Sequence, residues 1–96
     1  LKLSDAVYVL RSKNAGVWHV TVDIMFKDSS LFQRALGRLD LQLFEQIYRS
    51  KIVNYSVCKE IKTIKVTFLR RHPAGSVEDN DCLGALFYMP LLNIEI

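Results

Sequence analysis

The most regular stretch of the chain runs from Val17 to Phe26, where apolar and polar residues alternate. Val20, Val22, Ile24 and Phe26 fall on one side, and His19, Thr21, Asp23 and Met25 on the other. That period of two predicts a strand with one buried face. A second alternating region follows Ser50. Val53, Tyr55 and Val57 interleave with Asn54, Ser56 and Cys58, then Ile64, Val66 and Phe68 with Lys65 and Thr67. Residues near Glu60 to Lys62 suit the turn of a hairpin between them. Between the two regions the apolar spacing lengthens to three and four. Ser30 to Gln33 has capping-box spacing, Leu31, Phe32, Ala35 and Leu36 share a helical face, and Gly37 suits the stop. Asp40 is placed to cap a second helix, with Leu41, Phe44, Ile47 and Tyr48 on one face.

The ends of the chain have a less regular pattern. Leu1 to Leu10 is compatible with a short helical turn capped by Ser4 or Asp5, or with a strand over Val7 to Leu10. Arg11 to Gly16 reads as a polar stretch whose Asn14 and Gly16 favour a tight turn. Arg70 to Asp81 is loop-like, with Pro73, Gly75, Ser76, Glu78, Asp79 and Asp81. Leu83 to Met89 fits a short helix ending before Pro90, and Leu91 to Ile96 a closing strand.

The resulting order is strand, helix, strand, strand, weak helix, strand. It predicts an α+β fold of the ferredoxin-like split β-α-β kind, a four-stranded sheet with helices on one face. The helices are expected over Val20, Val22, Ile24, Val66 and Phe68. The open face would carry His19, Thr21, Asp23, Ser56, Lys65, Thr67 and Glu95.

Composition narrows the classes of function. With 96 residues, half of them apolar, the chain is expected to form one domain over residues 1–96 rather than a disordered segment. No apolar run reaches the ~20 residues of a membrane-spanning helix, since Leu83 to Leu92 is broken by Gly84 and Pro90. Lys2 and Asp5 interrupt the first apolar residues, so no secretion signal is expected there and a cytoplasmic location is the expectation. A net charge of +3 is mild. Nucleic acid is not expected as a partner either, because the open positions of the two central strands hold no aromatic residue for base stacking. Cys58 and Cys82 have no second pair for a zinc site and are read as reduced thiols. Neither a metal nor a cofactor is expected.

Three constellations are candidates for chemistry. Arg11, Ser12, Lys13, Asn14 and Gly16 combine two cations, a hydroxyl, an amide and a flexible turn, a set that either binds an anion or simply reverses the chain. It does not match the phosphate-binding loop pattern. Asp23 and Lys65, if on neighbouring central strands, form an ion pair or a candidate catalytic couple. Glu78, Asp79 and Asp81 lack the regular spacing of a cation site, and His19 and His72 lie in no metal motif.

The run Val9 to Gly16, followed by a strand ending in Asp23-Ile24-Met25-Phe26, resembles a small bacterial family, domain of unknown function 4387. That family is similar to the C-terminal ferredoxin-like domain of acyclic terpene utilisation (AtuA-like) proteins. The resemblance continues through Ile64 to Thr67 and Gly75-Ser76 to Asp81, Gly84, Ala85, Pro90-Leu91-Leu92 and Ile94-Glu95-Ile96. It implies a small accessory subunit that works with a larger AtuA-like protein in catabolism of branched or unsaturated acids as CoA thioesters. It also marks Arg11, Ser12, Lys13, Asn14, Gly16, Asp23, Lys65, Asp81 and Gly84 as functional candidates. Where the family pattern has polar residues ahead of the proline, this chain has Leu86, Phe87, Tyr88 and Met89, a change that suits a partner interface. The competing expectations are a free-standing oligomeric hydratase or isomerase acting on an acid or its CoA ester, and a module that senses an anionic metabolite.

Overall fold

A computed structural model of the chain describes residues 1–70, 75, 84 and 87–96. A four-residue helix, α1 (Leu3–Ala6), leads into strand β1 (Val7–Asn14), which turns back through residues 15–18 into β2 (His19–Phe26). Two eight-residue helices follow, α2 (Ser29–Leu36) and α3 (Leu41–Tyr48), then the hairpin β3 (Ile52–Cys58) and β4 (Thr63–Leu69). The ambiguous first ten residues therefore hold a helical turn and then a strand in succession, but the turn starts at Leu3, so the expected caps Ser4 and Asp5 lie inside it and Lys2 takes the cap position without a side-chain bond. The β3–β4 turn falls at residues 59–62, with Lys62 in the left-handed region at φ 51°.

The helix ends follow from local chemistry. Asp40 caps α3, its carboxylate accepting the Leu43 N–H at 2.9 Å. The cap of α2 is Asp28, which accepts from Leu31 N–H at 2.8 Å, rather than the expected Ser30. An ionised carboxylate competes better than a hydroxyl for the orphan N–H groups of the first turn. Gly37 ends α2 as expected.

The four strands form one antiparallel sheet in the order β1-β2-β4-β3. Strands β2 and β3 run in the same direction, joined by the helices, with β4 inserted between them. This is the split β-α-β unit of a ferredoxin-like α+β sandwich. One position differs from the sequence expectation. The edge beside β2 is taken by β1, not by a strand from Leu91 to Ile96. Closing the short 15–18 turn costs little chain entropy, so the local hairpin fills that edge. The chain end instead runs beside the start, with Leu3 N–H on the Ile94 carbonyl at 2.7 Å and an antiparallel bridge between Lys2 and Glu95. Glu95 therefore lies off the sheet face. Pro90 sits within a 3₁₀ turn, Met89–Leu91.

The covered face is as expected. Val20, Val22, Ile24, Phe26, Ile64, Val66 and Phe68 are buried against Phe32 and Ala35 of α2 and Phe44 of α3. Tyr48 stacks on Phe68 with ring centroids 4.0 Å apart, and its hydroxyl donates to the Phe87 carbonyl at 2.7 Å. Burial pushes the Tyr48 phenol well above its usual range, and burial also raises Tyr55, with the nearby Asp40 carboxylate adding to the shift. Among the described residues, no helix is long and apolar enough to cross a membrane.

Candidate functional site on the open sheet face

Strand register places the singled-out residues. Arg11, Asp23, Lys65 and Ser56 are successive cross-strand partners, so they form one row across all four strands. Lys13, Thr21, Thr67 and Asn54 form the next row, and Val9, Met25, Thr63 and Cys58 the row on the other side. Directly opposed residues share a face. All three rows lie on the side the helices leave uncovered, as the alternation of β2 and β4 predicted.

The Arg11 to Gly16 segment is not a loop. Arg11 to Asn14 are paired strand residues, and only Ala15 and Gly16 enter the turn, Gly16 with φ 88°. Strand alternation divides the segment between two environments. Arg11 and Lys13 project onto the open face. Ser12 and Asn14, the partners of Val22 and Val20, take the inward side. There the Ser12 hydroxyl accepts the Tyr88 N–H at 3.2 Å, and the Asn14 side-chain oxygen accepts from the Arg70 guanidinium. Arg70 is buried, with its guanidinium carbon 5.2 Å from the centroid of the Phe87 ring. Gly84 lies against the same strand. A Cβ there would meet Asn14 Oδ1 at 2.6 Å and Asn14 N at 2.9 Å. Ser12, Asn14 and Gly84 thus join the C-terminal segment to β1, and of the five residues read as a candidate anion site only Arg11 and Lys13 stand together on the open face. Phe87 and Tyr88 are half-buried in this packing, while Met89 is exposed. Asp81, Glu78, Asp79, His72, Cys82 and, of the expected helix from Leu83 to Met89, Leu83, Ala85 and Leu86 lie outside the described residues, while Phe87 and Tyr88 form a turn and Met89 opens the 3₁₀ turn.

The electrostatics of the open face centre on Asp23, which is 6% exposed. Arg11 Nε donates to Asp23 Oδ2 at 3.2 Å. Lys65 is its direct partner on the other flank, yet among the described residues no ion pair within 4 Å joins them. The expected Asp23–Lys65 pair is replaced by Arg11–Asp23. Next to it, the Thr21 and Thr67 hydroxyls are 3.0 Å apart and hydrogen-bonded.

A hollow of about 280 Å³ opens above this row, lined by Arg11, Lys13, Asp23 and Lys65 with Met25, Ser56, Cys58, Ile61 and Thr63. Its three cations face one carboxylate. The sequence reading did not single out Met25 or Ile61 as part of a site. The β2 alternation already puts Met25 on that side, but Ile61 enters from the β3–β4 turn, whose path is set by tertiary packing. The Cys58 thiol is exposed and donates to the Glu60 carboxylate at 3.3 Å. A hydrogen bond to its own backbone, with the thiol contact adding to it, holds the Glu60 carboxyl below its usual range. Among the described residues, no group of three or more His, Cys, Asp or Glu is placed to hold a metal ion.

No curated protein and no solved structure matched the chain in comparisons with known proteins. A family model did match, over residues 3–95, which includes the open-face rows, the Ser12–Tyr88 and Asn14–Arg70 contacts and Gly84. The chain belongs to the family described as a domain of unknown function, DUF4387.

Proposed function

We propose that the chain is an accessory subunit of a larger AtuA-like metabolic enzyme in the cytoplasm, one acting in the catabolism of branched or unsaturated acids as their CoA thioesters. The observation that carries this reading is the open sheet face. Its central strands seat a carboxylate, two threonine hydroxyls and three cations, and no element of the described chain covers them. Polar side chains packed this closely onto an uncovered sheet suit a surface completed by a second polypeptide. Co-expression with the AtuA-like protein, followed by size exclusion, tests it. Co-elution at micromolar concentration is expected, and separate elution overturns the reading.

A second reading, a free-standing oligomeric hydratase or isomerase, is favoured by one observation. Arg11, Asp23 and Lys65 share a single cross-strand row. Turnover of unsaturated acyl-CoA substrates by the chain alone, abolished in Asp23→Ala, is its test.

A further inference from the structure

The geometry points to a short aliphatic dicarboxylate as the ligand of the hollow on the open face, held by Arg11, Lys13 and Lys65. This inference concerns the chain by itself and does not depend on the proposed partnership.

Charge comes first. Asp23 neutralises one of the three cations in the lining, which leaves that lining with two positive charges in excess, the Glu60 carboxylate being held at the rim by Cys58. Arg11 bonds Asp23 through Nε, so its two terminal nitrogens remain to fork a carboxylate. Neither Lys13 nor Lys65 has an ion pair within 4 Å among the described residues. A dianion balances the site and a monoanion does not.

Spacing then separates one dianion from another. Arg11 and Lys65 stand on β1 and β4 with β2 between them. Two strand spacings set their backbones about 10 Å apart. Two separated cationic groups suit two separated carboxylates better than the compact charge of a phosphate. Arg11 to Asn14 also run as an extended, paired strand, not as the curled backbone that cradles phosphate oxygens through successive N–H groups. Asp23 stands between Arg11 and Lys65 in their row, and Met25 and the half-exposed Ile61 line the hollow beside that row, an apolar wall for a methylene link. The volume of about 280 Å³ suits a small ligand and is too small to enclose a whole nucleotide-bearing thioester.

Calorimetric titration of the full chain with succinate, glutarate, butyrate and inorganic phosphate tests the assignment. One dicarboxylate is expected to bind one-to-one, about tenfold more tightly than butyrate or phosphate. Lys65→Gln, Lys13→Gln and Arg11→Lys should each weaken it about tenfold, while Lys27→Gln, outside the hollow, leaves it unchanged. Thermal melting of each variant confirms that it folds. No saturable binding by either dicarboxylate, equal binding of phosphate, or unchanged affinity in the folded Lys65→Gln and Lys13→Gln variants overturns the proposal. Failure of co-elution with the AtuA-like protein would leave this result standing, so the two readings fail separately.

Discussion

Gly84 approaches Asn14 so closely that a single added carbon would come within 2.6 Å of the Asn14 side-chain oxygen and 2.9 Å of its backbone nitrogen. With φ at 67°, Gly84 also occupies the left-handed region where L side chains are strained. Gly84→Ala therefore combines a backbone penalty with a steric one at a site whose neighbour is main chain. It is expected to destabilise the fold by roughly 2–4 kcal/mol in chemical denaturation. A change under about 0.5 kcal/mol, the range of neutral surface substitutions, would contradict the close packing of this segment on β1.

The inward polar residues of β1 should behave as structural groups. Ser12→Ala removes the acceptor of the Tyr88 N–H and is expected to cost about 1 kcal/mol. Asn14→Ala withdraws an acceptor from the buried Arg70 guanidinium and should cost roughly 1–3 kcal/mol. Urea unfolding of both variants beside the parent chain gives these values directly.

The outward residues of the same strand should behave differently. Arg11 is exposed over most of its side chain, and the nearly buried Asp23 carboxylate shares its hollow with Lys13 and Lys65, so losing the Arg11 pair does not leave that charge without cations around it. Arg11→Gln, Lys13→Gln and Lys65→Gln are each expected to move the unfolding free energy by no more than about 1 kcal/mol. Losses above about 2 kcal/mol would place these cations in the folding machinery rather than in a recognition surface.

Tyr48 predicts a pH dependence. Its phenol is held above the usual tyrosine value in the folded chain, so the unfolded chain loses that proton first as the pH rises. The contribution is complete below the unfolded value near 10 and is lost as the pH climbs above it, at about 1.4 kcal/mol per pH unit. Tyr48→Phe should cost about 1 kcal/mol at neutral pH through the lost bond to the Phe87 carbonyl. It should also flatten the alkaline fall. An equally steep fall in the variant would assign that dependence to other groups.

The core strands and both longer helices were legible because their patterns are local. The alternation from Val20 to Phe26, and the spacing of Leu41, Phe44, Ile47 and Tyr48, each declare a buried face within one element. The Arg11 to Gly16 segment was not legible in the same way. Its polar residues read as a turn because the partners that bury Ser12 and Asn14 arrive from Tyr88 and Arg70, 76 and 56 positions along the chain. Nor does local pattern decide which segment takes the edge beside β2. A hairpin from the N-terminal side and a strand from the C-terminal side both satisfy the hydrophobic pattern, and the shorter connection wins. The Asp23–Lys65 row was foreseeable from strand parity. Arg11 as the partner of Asp23 required knowing that β1 is a strand and in which register it pairs.

The central claim is that strand alternation divides adjacent residues of β1 between recognition and packing. Its most direct measurement compares complex formation by two double variants, Arg11→Gln/Lys13→Gln and Ser12→Ala/Asn14→Ala, with the proposed AtuA-like partner, alongside their unfolding free energies. The account predicts that the first pair loses co-elution while its stability stays close to that of the parent chain. It predicts that the second pair is destabilised yet still co-elutes at temperatures where it is folded. Retained co-elution of the first pair together with loss in the folded second pair would contradict it.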